Sequence, residues 1–324
     1  MIDAPQTFRH EALLYSGWAD FVAGTVPFIR GGIEAGEPVL IVESPEKIDL
    51  LRRALDKDVD SVLFADMSEV GANPARIIPA WRDFVTRYGG AGSRLRGIGE
   101  PIWNGRTPEE LVECQRHESL LNVAFGSGQP WWLLCPYDTG QLDSSVIAEA
   151  RRSHEFVTEV GASHESHQFR GVDACGAPFD SPLSEPTDIS LMFDFALDNM
   201  PDLRAEVTRC ASTAGVSAAR AMELVSAVNE IATNSIQHGG GSGTLRLWTV
   251  SNSLVCEVRD GGAFTDPLID RLRPGPNPAA PRGLWLANQL CDLVQIRTLG
   301  EGTVVRLHMK IDPRRRLHLV PEVV

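Results

Sequence analysis

Apolar runs and helix-period segments alternate through the first half of the chain. Short apolar runs typical of buried strands lie at residues 38–43, 61–65, 95–98 and 131–135, and apolar residues at helical spacing follow over 45–55, 74–88, 107–125 and 143–156. Ser44 is placed to cap the first helix, and Thr107 with Glu110 forms a capping-box pattern at the third. This alternation predicts an α/β domain with a mostly parallel sheet covered on both faces.

The second half follows a different order. Strands are predicted over 188–195, 243–250, 254–258, 294–297 and 303–307, with helices over 199–214, 217–237 and 283–292. The grouping of strands predicts an α+β two-layer sandwich. Between the halves, residues 161–186 are rich in Gly, Pro, Ser and His without a sustained period, which is typical of a linker. The predicted organisation is therefore a domain at 1–160, a linker at 161–186, a domain at 187–312 and a tail at 313–324.

Composition narrows the functional classes. The 324 residues carry a net charge of −13 and neither half is basic, so direct nucleic-acid binding is not expected. No apolar run reaches the ~20 residues of a membrane span, and the first residues lack a signal-peptide pattern, so the expected location is the cytoplasm. No lysine follows a glycine-rich loop, which excludes a Walker-type phosphate loop. The six cysteines form no C-x-x-C pair and are expected to be reduced and mostly buried.

Candidate chemistry concentrates in four places of the second half. Glu230 and Asn234 are four residues apart in the predicted long helix, so they share one helical face and offer oxygen ligands suited to a hydrated Mg²⁺. Asp260 ends a strand and is followed by two glycines. Arg282-Gly283 leads into a helix N-terminus, which can bind phosphate, and Gly300 to Thr303 precede the last strand. Taken singly, each feature is as typical of a solvated helix face or an ordinary turn as it is of a ligand site.

In this order and spacing, the four elements resemble the N, G1, G2 and G3 boxes of the GHKL ATPases, over residues 187–310. More narrowly, they resemble the anti-sigma-factor serine/threonine kinases of the RsbW/SpoIIAB type. The resemblance implies a Bergerat fold that binds ATP and Mg²⁺ under a lid at about residues 264–281. It implies Glu230 as general base, Asn234 as the Mg²⁺ ligand and Arg282 as a second catalytic residue. The implied nucleotide-binding residues are Asn234, His238, Gly239, Asp260, Gly262, Gly283, Leu284 and Thr303, with Asp260 and Thr303 at the adenine.

Two positions depart from the family pattern. Phe264 replaces the last glycine of the G1 box, and Pro281 replaces a glycine of the G2 box. Both replacements stiffen the lid, because they remove the conformational freedom of glycine. They favour a domain that retains ATP binding over one that turns ATP over.

The first half resembles the MEDS sensory domain, over about residues 5–158. The resemblance rests on segments 10–15, 26–38, 99–103, 113–118 and 135–138. It implies a sensor for small hydrocarbon-like ligands on a RecA/KaiC-like scaffold. The expected pocket residues are His10, Glu100, Trp103, Cys114, His117 and Cys135.

The same residues leave two alternatives open. Cys114 and His117 lie three apart on one predicted helix, and His10, Glu100, Glu118 and Cys135 could complete a metal site with them. Trp103, Trp131 and Trp132 could line a ligand pocket or pack in the core.

Taken together, the two resemblances imply a regulator that sequesters an alternative sigma factor. A STAS-type anti-anti-sigma partner, phosphorylated on Ser or Thr, would control release, and a small apolar ligand would act at the first domain. The resemblance also suggests a homodimer. One alternative is a module that holds ATP without phosphorylating anything. Another is a sensor histidine kinase that uses His154, which is expected on a helix surface.

Overall fold

The computed structural model describes residues 7–90, 93–126, 128, 130–159, 161–176, 179–275 and 282–311. The chain divides into two compact units, and the first ends at Gly176. Part of the expected lid, including Pro281, and the whole expected tail lie outside the described residues. No helix of the described ranges is long and apolar enough to cross a membrane.

A seven-stranded sheet forms the centre of the described part of the first unit. In chain order its elements are β1 (Arg9–Tyr15), α1 (Gly17–Glu34), β2 (Val39–Glu43), α2 (Pro45–Leu55), β3 (Leu63–Asp66), α3 (Met67–Val70), α4 (Ile77–Tyr88), β4 (Leu95–Gly99), α5 (Pro108–Phe125), β5 (Trp131–Asp138), α6 (Ser144–Ser153), β6 (Phe156–Glu159) and β7 (Ala162–Glu165). The strand order is β3-β2-β4-β5-β1-β6-β7, and every neighbouring pair is parallel except β6 and β7. The predicted mostly parallel sheet is confirmed.

Local capping explains where two of these helices begin. The Thr107 hydroxyl accepts the Glu110 backbone N–H at 3.2 Å, while the Glu110 carboxylate accepts the Thr107 N–H at 3.1 Å. Ser44 Oγ accepts the Lys47 N–H at 3.4 Å. Both predicted caps are confirmed, because these bonds depend on residues three apart in sequence.

The central strand β1 was not predicted. It is buried along its whole length although it contains Arg9, His10 and Glu11. The buried Glu11 carboxylate accepts hydrogen bonds from Trp132 Nε1 at 2.8 Å and Thr158 Oγ1 at 2.6 Å. Hydrogen bonds from distant residues therefore satisfy the Glu11 carboxylate inside the fold. Because three polar residues interrupt the strand, its sequence does not show the apolar run that is typical of a buried strand.

The second unit is a two-layer sandwich in its described residues. Its elements are β8 (Leu191–Ala196), α7 (Met200–Thr213), α8 (Ala218–His238), β9 (Ser242–Val250), β10 (Ser253–Asp260), α9 (Gly283–Leu290), β11 (Leu293–Leu299) and β12 (Gly302–Lys310). The antiparallel strands follow the order β11-β12-β10-β9-β8. The long helix α8 packs on the sheet, and Leu224, Val228 and Ile231 lie in the core with Leu245, Cys256 and Leu307. The predicted α+β architecture is confirmed.

Much of segment 161–186, which is predicted as a linker, makes specific contacts with residues elsewhere in the chain. Within it β7 pairs with β6, and a short 3-10 helix (Gly171–Cys175) contacts α5. Further on, the Ser184 carbonyl accepts from Arg306 Nη2 at 2.7 Å, and Glu185 pairs with Arg246 at 2.8 Å. Residues 161–176 therefore belong to the first unit. Contacts with distant residues hold parts of this segment, and the aperiodic sequence did not indicate them.

The cysteines agree with expectation. All six are free; Cys114, Cys135, Cys256 and Cys291 are buried, and Cys175 and Cys210 are half-buried.

Candidate functional site

The end of α8 and the end of β10 meet in the second unit. The Gly261 N–H donates to the Gly239 carbonyl at 3.0 Å. The Asp260 carboxylate accepts from the Ser235 hydroxyl at 2.6 Å through Oδ2, and from the Gly262 N–H at 2.7 Å through Oδ1. The Asp260 side chain is consequently held in one orientation by a helix on one side and by its own turn on the other.

Two glycines permit this close approach. A Cβ atom at Gly239 would lie 2.5 Å from Asp260 Cγ, and one at Gly262 would lie 2.9 Å from Asp260 Oδ1. Any larger residue would displace the carboxylate, so the glycines are required by packing around Asp260.

A cavity of about 340 Å³ opens beside this junction. Its lining includes seven of the residues that the sequence nominated for nucleotide binding, namely Asn234, His238, Gly239, Asp260, Gly262, Leu284 and Thr303. The other lining residues are Ile231, Ala263, Phe264, Ile269 and Val305. Apolar walls with a few fixed polar groups are typical of small-molecule sites.

Thr303 fixes the turn that follows Asp260. Its hydroxyl donates to the Gly262 carbonyl at 2.9 Å and lies 3.3 Å from Thr298 Oγ1. Thr298 Oγ1 in turn accepts the Phe264 N–H at 3.3 Å. Sequence reasoning missed Ser235 and Thr298, because nothing in the local pattern distinguishes them from other helix and strand hydroxyls.

Glu230 and Asn234 lie together next to the start of α9. A Cβ atom at Gly283 would lie 2.7 Å from Asn234 Nδ2 and 3.4 Å from Glu230 Oε2. Gly283 is buried, whereas Glu230 and Asn234 are half-buried. A carboxylate and an amide on one helix face are hard oxygen donors of the kind Mg²⁺ prefers, and the glycine leaves room for phosphate at the helix N-terminus.

Neither of the two proposed catalytic residues lines the 340 Å³ cavity as the described residues define it. Glu230 lies one turn of α8 before Asn234, which does line the cavity. Arg282 is exposed and directly precedes α9. Phe264 does line the cavity, and it also packs against the core of the second unit. The G1 departure therefore places a large apolar ring where the family has a glycine.

The first unit has its own cavity, of about 590 Å³, at the carboxyl ends of its parallel strands. Tyr15, Glu43 and Asp138 reach it from the ends of β1, β2 and β5, and Glu100 reaches it from the position directly after β4. This is the position where open parallel sheets bind ligands.

Charged groups inside this cavity are linked. Lys47 Nζ donates to Tyr15 Oη at 2.7 Å and forms an ion pair with Glu100. Burial and the neighbouring Glu100 carboxylate raise the pKa of Glu43 well above its usual range. Burial also raises the pKa of Glu100, against the opposing effect of Lys47.

The structure separates the six residues that are expected at the sensor pocket. Glu100 and Trp103 line the 590 Å³ cavity, but the other four candidates do not. Cys114 is buried and donates its thiol to the Pro101 carbonyl at 3.3 Å, and His117 is buried on the same helix. His10 and Cys135 lie in a separate buried cluster of which Cys114 and His117 are not part. Cys114 and His117 are therefore part of neither the cavity lining nor this cluster.

The three candidate tryptophans also lie in different places, because Trp103 lines the cavity whereas Trp131 and Trp132 do not. Trp131 stacks on Phe8 and meets Phe125 edge to face in the core, and Trp132 Nε1 donates to Glu11, so both belong to the packed interior. His154 is fully buried rather than on a helix surface. It caps the end of α6, where its ring faces inward.

Comparison with known families agrees with this division. The model of the MEDS domain (MEthanogen/methylotroph, DcmR Sensory domain) matches residues 9–155, and that of the histidine kinase-like ATPase domain matches residues 193–309. The chain therefore carries a sensory MEDS domain followed by a GHKL-type, histidine-kinase-like ATPase domain. This pairing indicates a signalling regulator, and an ATPase domain of this type implies ATP, usually with Mg²⁺. A comparison with curated proteins gave no match.

Proposed function

We propose that this regulator is an anti-sigma factor that phosphorylates a STAS-type anti-anti-sigma protein on Ser or Thr, under the control of a ligand bound by its sensory domain. Sequestration of the sigma factor would end when the partner protein is engaged. The proposal places both partners in the cytoplasm and includes a dimer formed through the ATPase domain.

The observation that carries the proposal is the grouping of Glu230, Asn234 and Gly283. Glu230 Oε2 and Asn234 Nδ2 lie 3.4 Å and 2.7 Å from the Cβ position at Gly283. A base, an amide ligand and a helix N-terminus are thus close together at the side of a cavity that also contains Asp260. These are the positioning and electrostatic parts that phosphoryl transfer requires.

Each residue has a distinct proposed role. When bound, Mg²⁺-ATP supplies the phosphoryl group. Asp260, fixed by Ser235 and Gly262, accepts a hydrogen bond from the adenine amino group. Asn234 provides the metal ligand, Glu230 accepts the proton of the partner hydroxyl, and Arg282 stabilises negative charge near the α9 N-terminus.

The test uses the full chain, ATP labelled in its γ-phosphate and the purified STAS-domain proteins of the same genome. We expect label on a Ser or Thr of one of them, and a transfer rate reduced about 10²- to 10⁴-fold by Glu230→Gln with ATP affinity retained. Glu206→Gln, which changes a half-buried glutamate on α7 away from the cavity, is the matched control. Equal rates for the two variants would remove Glu230 from the mechanism, and the absence of label from every partner would refute the kinase.

A second candidate is a domain that binds ATP without transferring phosphate. Phe264 favours it, because this ring lines the cavity and packs on the core, which restrains the segment that would act as a lid. Saturable ATP binding without label on any partner is the expected result in that case. A histidine kinase acting through His154 is not supported, because this ring is fully buried.

For the sensory domain we propose that the 590 Å³ cavity binds the signal. Its Glu43, Glu100 and Lys47 side chains favour a ligand with a hydrogen-bonding or cationic group. This changes the chemistry expected from the family, which pointed to an apolar ligand.

A further inference from the structure

Four side chains of the first unit converge in its interior from four different elements. They are His10 on β1, Glu118 on α5, Cys135 on β5 and His154 at the end of α6. One ligand atom of each lies within 4.8 Å of the others, and none of the four residues is more than 2% exposed. Neither the nucleotide site nor the proposed sensor cavity uses them.

Hydrogen bonds fix the proton on the far side of the His10 ring. His10 Nδ1 lies 3.1 Å from Asn122 Oδ1, and Asn122 Nδ2 donates to the Ser153 carbonyl at 2.7 Å. The carbonyl oxygen of Ser153 can only accept, so this bond sets the orientation of the Asn122 amide and makes its Oδ1 face the ring. His10 Nδ1 is therefore the donor, and the neutral ring has a lone pair at Nε2.

His154 is arranged in the same way. Its Nδ1 lies 2.8 Å from the Ala150 carbonyl oxygen, which can only accept. In the neutral ring its Nε2 consequently also has a lone pair, and this atom lies 3.3 Å from the carboxylate of Glu118. A backbone or amide acceptor at the second ring nitrogen is the usual arrangement around metal-binding histidines.

The cluster therefore brings electron-rich atoms together. Glu118 Oε2 is 3.1 Å from His10 Nε2, and Cys135 Sγ is 3.5 Å from the same nitrogen. Glu118 Oε1 is buried without a hydrogen-bond partner among the described residues. Lone pairs at such distances repel one another unless a proton or a cation lies between them, and buried polar atoms are normally satisfied.

Three of the six separations between the ligand atoms suit a tetrahedral ion. Zinc bonds of about 2.0–2.1 Å to N or O and about 2.3 Å to S give ligand separations of about 3.3 Å between N and O and about 3.5 Å between N and S. The separations of 3.1, 3.3 and 3.5 Å in this cluster are close to those values.

We propose that His10, Glu118, Cys135 and His154 form a closed, structural binding site for a divalent transition-metal ion of the zinc type. A thiolate and two imidazoles favour Zn²⁺ over Mg²⁺ or Ca²⁺, which prefer oxygen ligands. Binding converts the Cys135 thiol to thiolate and releases its proton to solvent. The ion joins strands β1 and β5 to helices α5 and α6.

The competing arrangement is a buried ion pair in which a protonated histidine neutralises Glu118. In this alternative no metal is bound, so the metal content of the protein distinguishes the two arrangements.

The test uses the full-length chain produced in minimal medium supplemented with Zn²⁺ or Co²⁺. We expect one metal ion per chain by elemental mass spectrometry. The cobalt form should show the visible absorption of tetrahedral Co²⁺ and a thiolate-to-cobalt charge-transfer band. Cys135→Ser should remove the charge-transfer band, whereas Cys114→Ser, at another fully buried cysteine of the same unit, should retain it. Less than stoichiometric metal in the unmodified chain, or a band that survives in Cys135→Ser, would overturn the proposal.

A second variant keeps the test informative if Cys135→Ser does not fold. Asn122→Ala leaves all four ligands in place but removes the acceptor that orients His10. It should weaken Zn²⁺ affinity about 10- to 100-fold in competition with a chelating dye. Unchanged affinity in Asn122→Ala would contradict the assigned orientation of His10. Nucleotide binding is measured separately, by calorimetry. A protein without a metal ion in the first unit would therefore contradict the metal site but not the proposed kinase activity.

Discussion

Replacement of Asp260 by Asn tests the centre of the nucleotide site with a minimal change of shape. The Asp260 carboxylate accepts two hydrogen bonds, from Ser235 Oγ at 2.6 Å and from the Gly262 N–H at 2.7 Å. Asparagine has one acceptor oxygen and one NH₂ group in these positions, so at least one of the two donors loses its acceptor. The variant also presents a neutral amide where the cavity had a carboxylate.

The magnitude follows from the bond that the adenine would lose. A hydrogen bond to a charged group contributes about 1.5–3 kcal/mol, and each 1.4 kcal/mol is about a factor of ten in affinity. We therefore expect the affinity for ATP to fall about 10- to 100-fold in Asp260→Asn.

The assay is calorimetric titration of the full chain with ATP and with inosine triphosphate, which lacks the exocyclic amino group. The unmodified protein should prefer ATP, and Asp260→Asn should narrow that preference. The matched control is Asp194→Asn on β8, where the aspartate accepts from Thr244 Oγ1 at 2.7 Å and is not part of the cavity lining. If Asp260→Asn and Asp194→Asn bind ATP equally well, the assignment of Asp260 to the adenine is refuted.

Two further predictions concern Glu257 and Glu185, which pair with arginines on the sheet of the second unit. Glu257 is fully buried and accepts hydrogen bonds from three arginines. Glu257→Ala should therefore lower the free energy of unfolding of the second unit by about 3–5 kcal/mol in urea titration, against less than about 1 kcal/mol for Glu206→Ala, whose side chain is half-buried on α7. Similar losses in the two variants would contradict the burial argument. Hydrogen bonds from Arg246 and Arg259 lower the pKa of Glu185 from 4.5 to about 2. Because the folded pKa lies below the unfolded value, the stabilisation is present above about pH 4.5 and is lost as the pH falls towards 2. Melting temperatures of the unmodified chain and Glu185→Gln should therefore differ at pH 6 and converge near pH 2, and parallel curves would exclude this linkage.

Local signals were sufficient for several features. Thr107 and Ser44 cap their helices as predicted, because a cap involves residues only three positions apart. The i, i+4 spacing of Glu230 and Asn234 placed them on one face of α8, where the structure has them beside Gly283. The MEDS and ATPase domains were also recognised from motif order, and family comparison found both.

The sensor side was predicted less well. Glu100 lines the cavity as expected, but Glu43 and Lys47 were not nominated, because a strand end and a helix start are ordinary places for charged residues. Cys114 and His117 were nominated for their spacing, yet neither faces the cavity. Spacing along a helix indicates which side chains share a face but not what that face meets.

By itself, then, the sequence determined the two fold classes, the helix caps and the grouping of the nucleotide-site motifs, since these depend on short-range periodicity and on residues a few positions apart. Only the tertiary structure decided which distant side chains meet. Ser235 reaches Asp260 across 25 positions, and His10 reaches Glu118 across 108. Such contacts depend on strand order and on how helices pack against the sheet, and these are properties of the whole fold that a local pattern does not encode.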